Sequence, residues 1–319
     1  MFSKSKFLMS TALSLCFFSV SLSAMESNGK DEIQEDFSSR SHSLPYPTQD
    51  KVNKAVASKT IEVYERINRN WAYAISDSDM QTQSRYWKVK DIPQDIFLGM
   101  NGEKQKKSVF TLVLPTYPQD LMVALEDLIS QPAKLECTIA LTTAQIFCME
   151  QLLGREAFNN YSTGFYTLLQ KSPKWSPDEF FYELPRQFLT TMGGSPIPSS
   201  FTYITNIPFY SDFKPDGIGT GHNVAYTDTD KYIGFSALFK RGAQPLKTVE
   251  DELFAEFVKK EDVRCQPEQH SKMADLLTNN PTAFAKLRQK AQEQMNIYSL
   301  LDVSEAQKFL ETGMIYDKD

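Results

Sequence analysis

The stretch Leu135 to Gly154, LECTIALTTAQIFCMEQLLG, constrains this chain more than any other. Ile139, Ala140, Leu141, Ala144, Ile146, Phe147, Met149, Leu152 and Leu153 leave almost no wet face, so the spacing predicts a helix buried on every side, stopped by Gly154. Cys137 then falls in its first turn. The start of a helix carries unpaired N–H groups and a partial positive charge, which favour a thiolate and can hold a developing oxyanion. A structural reading stands beside the nucleophilic one, because free cysteine is often a small buried hydrophobe. Glu136 suits the helix dipole, yet a carboxylate next to a thiol raises its pKa.

The N-terminus has its own pattern. Lys4 and Lys6 precede an apolar run from Phe7 to Val20 and small residues at 21–24, which predicts a signal peptide over 1–24, cleaved after Ser23 or Ala24. The expected destination is therefore export, to a periplasm or the outside. Loss of that leader removes two lysines and no acid, taking the formal charge from −6 to −8. Such an acidic chain argues against nucleic acid as a partner, and no later apolar run is long enough to span a membrane. Of the four cysteines, three follow the leader: Cys137, Cys148 and Cys265. Cys137 and Cys148 lie about 16 Å apart along one helix, too far to bridge, while pairing of either with Cys265 stays open.

Along the chain, residues 25–50 are polar and poor in aliphatics, a flexible tether. From Lys51 to about Ala74, Val52, Val56, Ile61, Val63, Tyr64, Ile67 and Trp71 recur at helical spacing. Residues 77–84 read as a polar loop, with Tyr86 and Trp87 as a core anchor beside a turn. Phe110 to Leu114 has strand composition, Pro118 to Ser130 is helical, and a further helix is expected over Ala157 to Gln170. Trp175 to Thr191 is aromatic-rich behind a capped helix start. Phe201 to Ile207 alternates as a strand, and a glycine loop runs from Lys214 to His222. Two further strands, Asn223 to Thr227 and Tyr232 to Leu238, flank a turn; Val249 to Lys260 is helical. The tail from Gln266 is expected to form three short helices. The domains expected are thus 51–265 as a catalytic body and 266–319 as a helical extension. No metal-type cluster and no cofactor fingerprint appears, since Gly217, Gly219 and Gly221 lack a strand-to-helix context.

A thiol nucleophile needs a base, itself held by a third group. The three histidines are His42 in the tether, His270 in the tail and His222 at the entrance to a strand. His222 is the expected partner, with Asp228, Asp230 and Ser236 as candidate orienting residues. The order of a helix-start cysteine followed by a sheet that carries histidine resembles papain-like and NlpC-type peptidases.

Four ordered segments carry a second resemblance: FTLVLPTYPQDLMVALEDLISQPAKLECTIAL, GREAFNNY, FTYITNIP and GHNVAYTDTDKYIGF. They are similar to the bacterial spore-coat transglutaminases of the Tgl type, over about Arg85 to Lys260. The resemblance implies an α+β fold: a papain-like, NlpC-type core with the cysteine at a helix N-terminus packed on a small antiparallel sheet, plus extra helices at both ends. It also implies γ-glutamyl transfer, in which Cys137 attacks a protein glutamine and the thioester passes to a lysine, a small amine or water. Cys137 matches the family's nucleophile and Glu136 its adjacent acid. In that family the place of His222 holds a glutamate, and the family's histidine falls at Phe235 here.

Three functions are thereby set against one another. The first is a cysteine acyltransferase on protein glutamine, with His222 as base and the backbone N–H of Thr138 in an oxyanion hole. The second is a papain-like amidase or endopeptidase acting on peptidoglycan or protein. The third is a binding protein that kept the fold without the chemistry.

Overall fold

The computed structural model describes residues 48–74, 77–98, 103–116, 118–160, 188–215, 217, 219–227, 229–264, 266–294 and 297–312. All belong to the compact unit Ser43–Asp319. The leader, nearly all of the tether, the capped segment after Trp175, Asp228 and Cys265 lie outside the described residues.

Helix α1 (Gln49–Asn70) buries Val52, Val56, Val63, Tyr64 and Ile67 on one stripe, the face its periodicity predicts. Helix α2 (Leu121–Ser130) starts where the Asp120 carboxylate accepts from the Met122 N–H at 2.9 Å. Helix α3 (Cys137–Leu153) is buried along nearly its whole length, as its composition requires, and ends at Gly154 with φ 79°. That left-handed region suits glycine alone among ordinary residues. Helices α1 and α3 pack lengthwise, with the Thr60 hydroxyl 3.1 Å from the Cys148 sulfur.

Three sheets complete the frame. Strands β1 (Trp71–Tyr73), β2 (Gln81–Thr82) and β5 (Ala133–Leu135) form one in the order β1-β5-β2, with β1 parallel to β5. Strands β3 (Lys88–Leu98) and β4 (Glu103–Val113) form a long antiparallel hairpin. The largest sheet runs β6-β10-β7-β8-β9, from Leu189–Gly193, Ile297–Leu301, Phe201–Thr205, Gly221–Tyr226 and Tyr232–Gly234, and every pairing in it is antiparallel. The architecture is α+β, with the cysteine helix against a small antiparallel sheet.

Alternation along β7, β8 and β9 divides that sheet's side chains between two cores. Phe201, Ala225 and Ile233 join the main core with α1, α2 and α3. Ile204, Val224 and Tyr232 face the other way, onto Phe239 and onto Val249 and Leu253 of helix α4 (Leu246–Val258). The tail supplies helices α5 (Pro267–Asn279), α6 (Pro281–Gln294) and α7 (Val303–Thr312). It also supplies β10, so the segment after Cys265 is not helical throughout: one strand of it is inserted between β6 and β7. Arg288 of α6 clamps the tail to α4 through Glu250 and, at 2.9 Å, Asp251.

Candidate functional site

Strand β5 leads directly into α3, and Glu136 is the residue between them. Parallel pairing of β5 with β1 sets Tyr73 opposite Leu135, two residues before Cys137. The thiol is half-buried, and Asn223 Nδ2 donates to its Sγ at 3.6 Å. The side chains of Tyr73 and Thr138 also lie near enough to the sulfur to favour its thiolate. The first bond within α3 is that of Ala140 N–H to the Glu136 carbonyl at 3.4 Å, so the N–H groups at 137, 138 and 139 precede the helical ladder. The backbone N–H of Thr138 thus lies in the turn where an oxyanion would be held.

Electrostatics at this thiol oppose each other. Burial pushes the Cys137 pKa up and the Glu136 carboxylate adds to the rise; hydrogen bonds from Asn223, Tyr73 and Thr138 pull it down without reversing it. Tyr73 is likewise raised, by burial first and then by Cys137 and Glu136. Cys148, fully buried eleven residues along the helix, is pushed up to about 12 by burial and is a packing residue.

Aromatic rings stand beside Tyr73 and Asn223. Phe235 is buried, with its ring 5.9 Å from both Trp71 and Tyr73. Tyr203, in β7, stands directly opposite Asn223 in the register.

The expected Cys137 and His222 dyad is not what the strand builds. Successive side chains of a strand point to opposite faces. Asn223 faces Cys137, so His222 turns to the α4 side, where its Nε2 lies 3.1 Å from Glu252 Oε2 and its ring meets Phe239 at 5.7 Å. The candidate orienting residues serve other ends. Asp230 accepts the Tyr226 hydroxyl in the turn after β8. Ser236 Oγ accepts from Leu238 N–H at 3.2 Å, capping a short helical turn. Of the residues named from sequence, Glu136, Cys137 and Thr138 are brought together; His222, Asp230 and Ser236 are held apart from them.

Asn223, Tyr73 and Tyr203 escaped the sequence reading. The signal for Asn223 was its adjacency to His222, since one of the two must face α3. The choice depends on which face of β8 meets which helix, and apolar residues cover both faces. Among the described residues no group of three or more His, Cys, Asp or Glu side chains is disposed to hold a metal. No described helix is long and apolar enough to cross a membrane.

No protein-family profile matches this sequence, and no curated protein sequence matches it. Among solved structures, the chain is similar to a transglutaminase from Geobacillus stearothermophilus without its C-terminal extension, at 12% identity and a TM-score of 0.45. The match covers 83% of this chain and 98% of that one. A likeness that weak does not establish a common fold, so the reading of the site rests on its own residues.

Proposed function

We propose that this protein is a cysteine acyltransferase acting on the side-chain amide of protein glutamine, with Cys137 as nucleophile. One observation carries the reading: a half-buried thiol at the first residue of α3, held by Asn223 Nδ2 at 3.6 Å within a turn of unladdered N–H groups. In this reaction Sγ attacks the γ-carbonyl carbon while the carbonyl oxygen takes up charge beside the N–H groups of the first turn. Glu136, whose charge reaches both Cys137 and Tyr73, accepts the thiol proton and returns it to the nitrogen as the C–N bond breaks. Ammonia leaves and a thioester remains. A lysine then displaces the sulfur and gives an isopeptide bond, or a small amine does so and gives an N-substituted glutamine, the thiol being regenerated; water in its place gives glutamate. Asn223 steadies the sulfur in both half-reactions, while Glu136 takes the part of base that His222 was expected to play.

The test uses residues 25–319 with lysine-blocked casein and a fluorescent primary amine. Amine incorporation with release of ammonia is expected, both abolished in Cys137→Ser. Absence of both with every glutamine donor tried would end the proposal. The expected export from the leader over 1–24 belongs to the same reading and predicts a secreted N-terminus at Ala24 or Met25.

A second reading has a specific observation in its favour: the thiol is raised rather than activated, and Phe235 occupies the wall beside Tyr73. It makes the cleft a binding site without turnover, and it requires that Cys137→Ala leave the protein's biological effect intact. The amidase reading drew on His222 as base, and that support goes with the side chain's orientation towards Glu252.

A further inference from the structure

Tyr203 is a large aromatic left 42% exposed on the face of the sheet from which Asn223 reaches Cys137. An exposed ring is ordinarily free to change rotamer, but this one is fixed at both ends. Its hydroxyl donates to Thr220 Oγ1 at 3.0 Å. Its ring lies close to Gly221, where a Cβ would stand 2.5 Å from Tyr203 Cζ, 2.6 Å from Cε1 and 2.5 Å from the Ile204 carbonyl oxygen. Glycine inside a strand weakens it and often marks a close approach. Here both the Tyr203 ring and the Ile204 carbonyl of β7 make that approach, so the lack of a side chain at 221 lets the ring sit close to β8. Residues paired across an antiparallel ladder have Cβ atoms about 4.5–5.5 Å apart, and the partner of Tyr203 is Asn223. Asn223 in turn reaches the Cys137 sulfur at 3.6 Å. A carboxamide presented to that sulfur therefore has its aliphatic stem alongside a ring already immobilised.

We infer that Tyr203 positions the acyl donor, its ring packing against the two methylene groups of the glutamine side chain while Cys137 receives the carboxamide. This rests on the acyltransferase reading above. The hydroxyl fixes the ring through Thr220 and touches no substrate. Contact with two methylenes is worth on the order of tenfold in affinity.

The experiment alkylates Cys137 with a short peptide whose glutamine carboxamide is replaced by a chloromethyl ketone. Modification of the Cys137 tryptic peptide is followed by mass spectrometry, with iodoacetamide as the reagent that lacks a stem. Saturating kinetics are expected for the wild type. Tyr203→Ala should raise the half-saturating concentration about tenfold, with the limiting rate and the iodoacetamide rate kept. Tyr203→Phe should recover most of the lost affinity. Saturation that is identical in wild type and Tyr203→Ala overturns this inference and leaves the acyltransferase reading standing. A wild type that reacts with iodoacetamide but never saturates with the peptide overturns the acyltransferase reading, and this inference with it.

Discussion

At the scale of single residues, the surroundings of the Cys137 thiol favour its protonated form. Burial and Glu136 raise the Cys137 pKa, so at neutral pH less thiolate is present than on a free cysteine. Its alkylation should climb as pH rises through that elevated value, later than for a free thiol. Asn223→Ala removes a donor to the thiolate and should raise the pKa further, slowing iodoacetamide about fivefold to tenfold at fixed pH. His222→Ala should leave the rate unchanged, because its side chain is paired with Glu252 on the far face of β8. A His222-dependent rate would restore the dyad. The place of Cys137 at the start of α3 was legible in the sequence because a buried helix announces itself by composition and its first residue by position. Its partner was not, because two adjacent strand residues differ only in parity, and parity is set by what covers each face.

At the scale of elements, α3 is the member least able to lose volume. Phe147 is fully buried within it, and Phe147→Ala should cost about 3–5 kcal/mol, read from the urea midpoint. Helix α2 depends on a buried charge. Asp127 accepts from Ser84 Oγ at 2.7 Å, Arg85 N–H at 2.8 Å and Arg85 Nε at 2.7 Å, which fastens α2 to the turn that leads into Trp87. Burial alone would raise its pKa, but these donors outweigh it and hold the carboxyl below the usual range. The folded value being the lower one, the contribution to stability is complete above the unfolded carboxylate's pKa and is lost as pH falls through the folded value. Asp127→Asn should therefore destabilise by about 1–3 kcal/mol near neutrality and by progressively less in acid, measured by urea unfolding at several pH values. Helices α1 and α2 were readable from their 3.6-residue period. Strand β3 was not: KVKDIPQDIFL carries a proline and mixed charges, and its extended form comes from pairing with β4. Strand β10 was hidden for a related reason, five residues between two helices whose patterns overran it.

At the scale of the whole molecule, one sheet with helices against both faces joins the cysteine core to the tail. Because β10 lies between β6 and β7, the residues after Cys265 belong to that sheet as much as to any appendage. A chain stopped at Gln294 should lose cooperative thermal unfolding and elute as aggregate, since β6 would have no partner and β7 would keep β8 alone. A truncated chain that melts like the full one would show the strand to be dispensable. The sequence made the number of tail helices legible; the tail's strand depends on a pairing between distant residues that no local pattern records.

That pairing also sets a schedule. Leu189 meets Leu301 across β6 and β10, so a chain leaving the ribosome N-terminus first has no complete sheet until Leu301 has emerged. Contacts between segments so far apart form slowly and late. Strands β7 and β8, which bring Tyr203 and Asn223 to the sulfur, are seated in that same sheet. Cys137 is synthesised long before the strands around it are finished, and its surroundings take their final form only once β10 has been made.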